Sequence, residues 1–249
     1  MANTQNIKPI NFLYSLLIFG GAALLFLFNE RFVLPYFGDH GVNEVLLLLI
    51  MAVPLIIFFI VALIGYRLEG NKWKWIDFRS RFRYKSIKGK MWLWTIVIVI
   101  VDIGLYLAVY KLAHPYVKFV HDAFPPPEIL NKIMGDGEKF VGYSIKGNWW
   151  LLLLHFFYFF FNVCGEEFLW RGYLFPRQEL THGKYTWVVH GMLWTMFHLF
   201  APYNALMVLP GALFMSYVVQ RTQNNTIFLI SHAALNGIPL IGLIINIIG

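Results

Sequence analysis

Apolar residues in this chain come in long runs rather than at alternating or helix-stripe intervals. The runs cover residues 11–28, 45–66, 91–113, 149–175, 185–200, 204–219 and 226–248. Most approach the ~20 residues that a helix rising ~1.5 Å per residue needs to cross a hydrocarbon layer of ~30 Å. Pro54 and the Pro210-Gly211 pair fall inside the second and sixth runs and predict bends there. Gly237 and Pro239 interrupt the last run, which therefore reads as one span or as two short ones. The pattern predicts an all-α, polytopic transmembrane helix bundle of seven or eight spans, with no soluble stretch long enough to fold alone.

Composition agrees. The 249 residues are 59% hydrophobic and 13% charged, with a mean hydropathy of +0.61, values that exclude an ordinary soluble domain. The first run lacks the charged start and small-residue cleavage site of a secretion signal, so it reads as a retained span. The single cysteine, Cys164, rules out an intrachain disulfide and a cysteine-based metal cage. It has no basic neighbour to activate it and reads as a small hydrophobe.

Charge gives orientation. Nine of the chain's Lys and Arg lie within 67–90, against only Glu69 and Asp77. This density reads as a juxtamembrane loop held at an anionic lipid surface, not as a nucleic-acid site. Trp73, Trp75, Phe78, Phe82 and Tyr84 in the same loop suit a segment lying on the headgroups. The loops after the second, fourth and sixth spans are net basic, whereas Glu30, Asp39 and Glu44 outweigh Arg31 after the first. The bias predicts a multi-pass protein of the plasma membrane with a cytoplasmic N-terminus and a cytoplasmic 67–90 loop. Residues 114–148, with Pro125-Pro126-Pro127 and a balance of lysines and acids, are expected to cap the outer mouth of the bundle. The chain thus divides into an N-terminal part, 1–148, and a C-terminal part, 149–249.

Chemistry concentrates in the second part. From Leu151 onward the fourth span carries one strongly polar side chain, His155, until Glu166 and Glu167 arrive together with Arg171 one turn on. Ionisable groups inside an apolar span are costly and mark functional sites. Glu167 and Arg171, four apart, can pair on one helix face. Glu166, rotated ~100° away, is left as the working carboxylate, with Asn162 one turn earlier to orient it. The rival reading ends the helix at Glu166 and solvates all three charges. The fifth span sets Trp194 and His198 on one face, and the seventh does the same with His232 and Asn236. One carboxylate, two imidazoles and an amide suffice to activate a water and stabilise an oxyanion. His155 is ~16 Å from Glu166 by helical rise, too far to take part. His190 is expected near the cytoplasmic entry, and Asp102 in the third span is expected to pair with a cation on a neighbouring helix. Depths do not coincide: Glu166 falls ~26 Å from Trp149, His198 ~20 Å from Tyr185 and His232 ~9 Å from Thr226. They meet only if the fifth span starts below the membrane plane, which would set the site ~10–15 Å inside the cytoplasmic surface.

Glu166-Glu167-x-x-x-Arg171, then an aromatic-x-x-x-His ending at His198, then His232-x-x-x-Asn236, resembles the CPBP intramembrane proteases. This group includes the type II CAAX prenyl endopeptidases and bacteriocin-processing or immunity proteins. Trp194 departs from the phenylalanine usual at that position of the family; both are bulky aromatics, so the change reads as one of packing more than of chemistry. The resemblance implies that Glu166 and His198 position and activate the hydrolytic water, that His232 and Asn236 stabilise the oxyanion, and that Arg171 holds Glu167 and the helix. The chain lacks a His-Glu-x-x-His motif. Glu166, His198 and His232 form a candidate zinc set, but chemistry with no cofactor is the favoured expectation. The function expected is an intramembrane endopeptidase open to the cytoplasm, acting on a hydrophobic peptide or lipidated protein. The alternatives are a non-enzymatic immunity or partner-binding protein of the same fold, and an ion-coupled transporter using the same residues as a relay. Oligomeric state is not legible.

Overall fold

The computed structural model describes residues 7–249; the first six, at the end expected to face the cytoplasm, lie outside the described residues. Helix α1 (Phe12–Phe28) starts at Asn11, whose side chain accepts the Tyr14 amide. It does not stop at residue 28. It passes through a π-helical turn, Asn29–Val33, into α2 (Leu34–Asp39), so Glu30 and Arg31 belong to a helix and not to the expected loop. Lipid offers no partner for a free backbone amide, which favours carrying the helix on. Asn29, buried, donates from its side chain to the Ile50 carbonyl and fastens this turn to α3 (Glu44–Leu68). α3 runs unbroken through Pro54.

The basic segment folds into α4 (Trp75–Arg81) and an extended tail. Only part of it faces outward: Trp73, Trp75 and Ile76 are exposed, but Phe82 and Tyr84, expected on the headgroups, are buried. Phe82 stacks on Phe78 and meets Phe168 edge-on. α5 (Lys90–Leu112) follows, apolar on all sides, and turns Leu93, Ile96, Ile100 and Leu107 outward as a lipid-facing helix does.

Residues 114–148 form α6 (His114–Ala123), α7 (Glu128–Met134) and a small antiparallel hairpin of β1 (Lys139–Phe140) with β2 (Tyr143–Ser144). Ile133, Phe140, Val141 and Ile145 pack on Leu47 and Leu48 of α3 and on Leu151, which opens α8 (Leu151–Glu166). The connection therefore lies as a packed layer on the end of the bundle opposite the basic segment.

Helix continues from α8 through a π segment, Glu167–Leu174, into α9 (Phe175–His182), a short 3-10 turn and α10 (Thr186–Phe197). Held straight, the 50-residue run Leu151–Phe200 would span ~75 Å, more than twice a bilayer core. It folds back instead at Gly183, whose φ is +52°. Contacts between Phe175 and His190, Trp170 and Phe197, and Glu166 and Trp194 are laid out as in an antiparallel hairpin with its turn at that glycine. α11 (Pro202–Thr222), α12 (Asn225–Asn236) and α13 (Ile238–Ile248) complete the chain, the last two meeting at 41°. By length and apolarity, five helical runs among the described residues can cross a membrane, or six with that bent pair taken as one span. The seven or eight expected from the sequence counted the two legs of Leu151–Phe200 separately.

The core is aromatic. Trp170 stacks on Phe19 at 4.3 Å and meets Phe58 at 4.9 Å and Phe197 at 5.3 Å between ring centroids. Glycines let the helices close in: a Cβ on Gly165 would sit 2.5 Å from the Leu55 carbonyl oxygen, and one on Gly172 would sit 2.0 Å from the Phe82 ring. Such small-residue contacts replace the hydrophobic drive that helices lack in lipid. Gly165→Ala is expected to destabilise the protein by ~1–3 kcal/mol through overpacking against backbone. Gly21→Ala, where no atom lies within 4 Å of the new Cβ, is expected to leave the melting temperature in detergent unchanged, and equal melting of the two variants would refute this packing.

Candidate active site

The six residues singled out in the sequence lie together where α8 gives way to the π segment. Glu166 is the last residue of α8 and Glu167 the first of the π turn. The two carboxylates consequently face different surroundings.

Glu167 and Arg171 are both fully buried, with a 3.3 Å contact between Oε1 and Nη1. None of the three guanidinium nitrogens has a directed hydrogen bond. The cation lies between two rings instead, 4.0 Å from the Trp194 centroid and 4.2 Å from that of Phe228. Ring faces carry negative potential, so two of them and one carboxylate hold the charge without water. Glu167 also takes His232: its Oε1 lies 2.8 Å from Nδ1 of the ring.

The hydrogen-bond chain assigns the tautomer of His232. A carboxylate accepts, so Nδ1 carries the proton. Nε2 then accepts from Asn236 Nδ2 at 2.8 Å, and the second amide hydrogen of Asn236 goes to Asn162 Oδ1 at 2.5 Å. Asn162 thus orients Asn236 and not Glu166, as the sequence had suggested. Any donation from His232 or Asn236 to a substrate oxygen requires this mutual bond to open, with Nε2 gaining a proton that Glu167 compensates through Nδ1.

Glu166 has a different partner. Its Oε2 accepts the indole N–H of Trp194 at 3.1 Å. The family's phenylalanine cannot donate there, so the substitution read as a matter of packing also supplies a hydrogen bond. His198 Nδ1 lies 2.8 Å from the Trp194 carbonyl oxygen and must donate to it, leaving Nε2 as a free base. Trp194 therefore sets both Glu166 and His198.

Glu166, Trp194, His198, His232 and Asn236 line one cavity of about 330 Å³. The depth conflict dissolves because the hairpin turns at Gly183, well beyond Glu166, so α10 starts deep and returns to the level of the site. No residue of 67–90 lines this cavity. From Glu166 and Trp194 its walls run towards Tyr158 on α8, Tyr106 on α5 and Asn204 on α11, all away from the basic segment. A second cavity, about 370 Å³, shares Tyr106, Asn204 and Met207 with it and continues to α6. The lining of both cavities runs towards the end away from the basic loop, where the sequence had placed the opening. The basic end is sealed: Arg81, itself buried, bonds Glu69 twice at 2.6 Å and the Gly172 carbonyl at 2.8 Å.

Several expectations change. His190 is buried, bonded to Gln178 at 2.7 Å and wedged against Phe19 and Phe175, so it is structural and not at an entry. Asp102 has no ion-pair partner among the described residues and lines the site cavity. Cys164 and His155 do not line it. Asn225, buried at the start of α12, donates its amide to the carbonyls of Phe82 and Arg171 and so ties the basic segment to the π segment. Its signal in the sequence was the Asn224-Asn225 pair before an apolar run, a helix-start pattern.

No group of three His, Cys, Asp or Glu side chains among the described residues is placed to hold a metal ion. Nδ1 of both histidines is held by an oxygen and Nε2 of His232 by Asn236, so in this arrangement Nε2 of His198 is the one ring nitrogen of the zinc set considered from sequence that is open to a metal.

Residues 148–238 match the family model described as type II CAAX prenyl endopeptidase Rce1-like. No curated protein and no solved structure matches the chain. The matched segment holds all six site residues.

Arg171→Met is expected to strand Glu167 as a buried anion and destabilise the protein by ~3–5 kcal/mol. Unfolding in detergent, followed by near-ultraviolet circular dichroism, measures it. A variant as stable as wild type would mean that the pair contributes nothing.

Proposed function

We propose, from the match of residues 148–238 to the type II CAAX prenyl endopeptidase Rce1-like family model, that this integral membrane protein hydrolyses a peptide bond in a hydrophobic peptide or lipidated protein, using a water activated by Glu166 and His198. The observation that carries the reading is the convergence of Glu166, His198, His232 and Asn236, from three separate helical segments, on one cavity beside a neutralised Glu167–Arg171 pair. With one Glu166 oxygen held by Trp194, the other is left to take a proton from water. The hydroxide adds to the scissile carbonyl, and the oxyanion takes the N–H of Asn236 and the Nε2–H of a His232 imidazolium, formed when the ring takes up one proton from solvent as substrate binds and returned when product leaves. The proton taken by Glu166 passes through His198 Nε2 to the leaving amine as the C–N bond breaks. Glu167 offsets the positive charge on His232, and Arg171 offsets Glu167. No step is assigned to a metal. By the Lys and Arg bias, the 67–90 end faces the cytoplasm of a cell whose plasma membrane holds the protein.

The test uses membranes carrying wild type, Glu166→Gln or His198→Ala, incubated with a mixed pool of hydrophobic and lipidated peptides and read by mass spectrometry. Wild type is expected to yield fragments that vanish in both variants and persist with a chelator. Asn236→Ala is expected to lower turnover by roughly 10²–10³, the usual loss for one oxyanion donor. Loss of the fragments on chelation would overturn the metal-independent mechanism. Absence of any variant-sensitive fragment would overturn the protease reading in favour of a partner-binding or ion-coupled protein.

A further inference from the structure

Beyond the residues assigned to water activation, the site cavity has two more carboxylates in its wall. Glu30 reaches it from the π turn after α1, and Asp102 from the middle of α5. Neither forms a hydrogen bond or ion pair with another described side chain. Arg31, next in sequence to Glu30, turns away to the Phe124 carbonyl at 3.4 Å and does not line the cavity. No Lys or Arg lines it at all. Asp102 lies against α11 at Gly211, where a Cβ would sit 1.9 Å from its Oδ1. An acidic side chain is thus given room in the cavity wall with no lysine or arginine beside it, and His232 is the basic group in its electrostatic reach.

Ionisable groups in a membrane core are retained where they meet a substrate, an ion or each other. These two lie in the same space as the scissile-bond machinery. Tyr158, in electrostatic reach of both Glu30 and Glu166, is eight residues before Glu166 on α8, or ~12 Å by helical rise. An extended peptide covers that in three or four residues.

We propose that the cavity selects a cationic group, an ammonium or a guanidinium, docked between Glu30 and Asp102 about three or four residues from the bond cut at Glu166. The inference rests on the proteolytic reading. It adds a substrate class: an apolar peptide with a Lys or Arg side chain or a free amino terminus in that half of the cavity. A peptide's terminal carboxylate is repelled there by both groups.

Purified protein in nanodiscs of zwitterionic lipid, chosen so that the bilayer does not itself attract cations, is assayed with matched peptides. They carry Lys, Arg, Gln or Glu at each position up to five residues on either side of the cut site, with free or acetylated amino termini. For wild type, kcat/KM is expected to be about ten-fold higher with Lys or Arg than with Glu at one position. The Lys-to-Glu ratio is expected to fall towards one in Glu30→Gln and in Asp102→Asn. The acetylated series tells a terminal amine from a side chain as the docked group. A wild-type ratio of one or below at every position overturns the proposal, whether or not the variants fold. So does a ratio that survives both substitutions. If nothing is cleaved, the proteolytic reading fails by itself. Binding of the same peptides, fluorescently labelled, then decides charge selection: preference for cations that Glu30→Gln abolishes supports it, and equal binding of Lys and Glu peptides overturns it.

Discussion

Arg171 and Glu167 sit where no water reaches, and much of the bundle is arranged around keeping that pair tolerable. A guanidinium buried in apolar surroundings needs a carboxylate, ring faces or backbone oxygens within contact distance. Here it has the first two, since Trp194 and Phe228 lie on either side of it and Glu167 touches one edge. Each of those partners has a second attachment. Trp194 bonds Glu166, Glu167 bonds His232, and Phe228 lies one turn before His232 on α12. The clamp thereby fixes α8, α10 and α12 relative to one another, and the cavity between them inherits its shape.

The π segment is the second constraint. Residues Glu167–Leu174 leave the α-helical pattern directly after Glu166, which rotates the following side chains and separates the roles of two adjacent carboxylates. Wider helical turns of this kind are commonly retained at functional sites. Their carbonyls need donors, and the protein supplies them from elsewhere: Arg81 bonds the Gly172 carbonyl, and Asn225 bonds that of Arg171. A segment that reads in sequence as a charged surface loop is consequently part of the scaffold beneath the site. The first helix repeats the device, with its own π turn bringing Glu30 to the same cavity.

Much of this was legible beforehand. Apolar run length announced a helical membrane bundle, and polar side chains inside those runs singled out Glu166, Glu167, Arg171, His198, His232 and Asn236. The pairing of Glu167 with Arg171 followed from their spacing. What escaped was set by contacts between distant segments. Residues 29–33 looked like a loop because Glu30 and Arg31 are charged, but burial of Asn29 against α3 carries the helix through. Phe82 and Tyr84 looked interfacial because lysines and arginines surround them, and only packing on Phe168 reveals them as core. Trp194 passed for bulk because hydropathy does not register an indole N–H. The direction of the cavity could not be read from any single helix, because it depends on how Tyr158, Tyr106 and Asn204 line up across three of them.

A central claim is that adjacent carboxylates divide the work, Glu167 holding the fold and Glu166 serving the chemistry. Glu166→Gln and Glu167→Gln, compared for both thermal unfolding and peptide cleavage in the same membranes, test it directly. Glu166→Gln should melt within about 2 °C of wild type and cleave nothing, while Glu167→Gln should melt several degrees lower because Arg171 is left without its counter-charge. Equal melting of the two variants, or full cleavage by Glu166→Gln, would contradict the division.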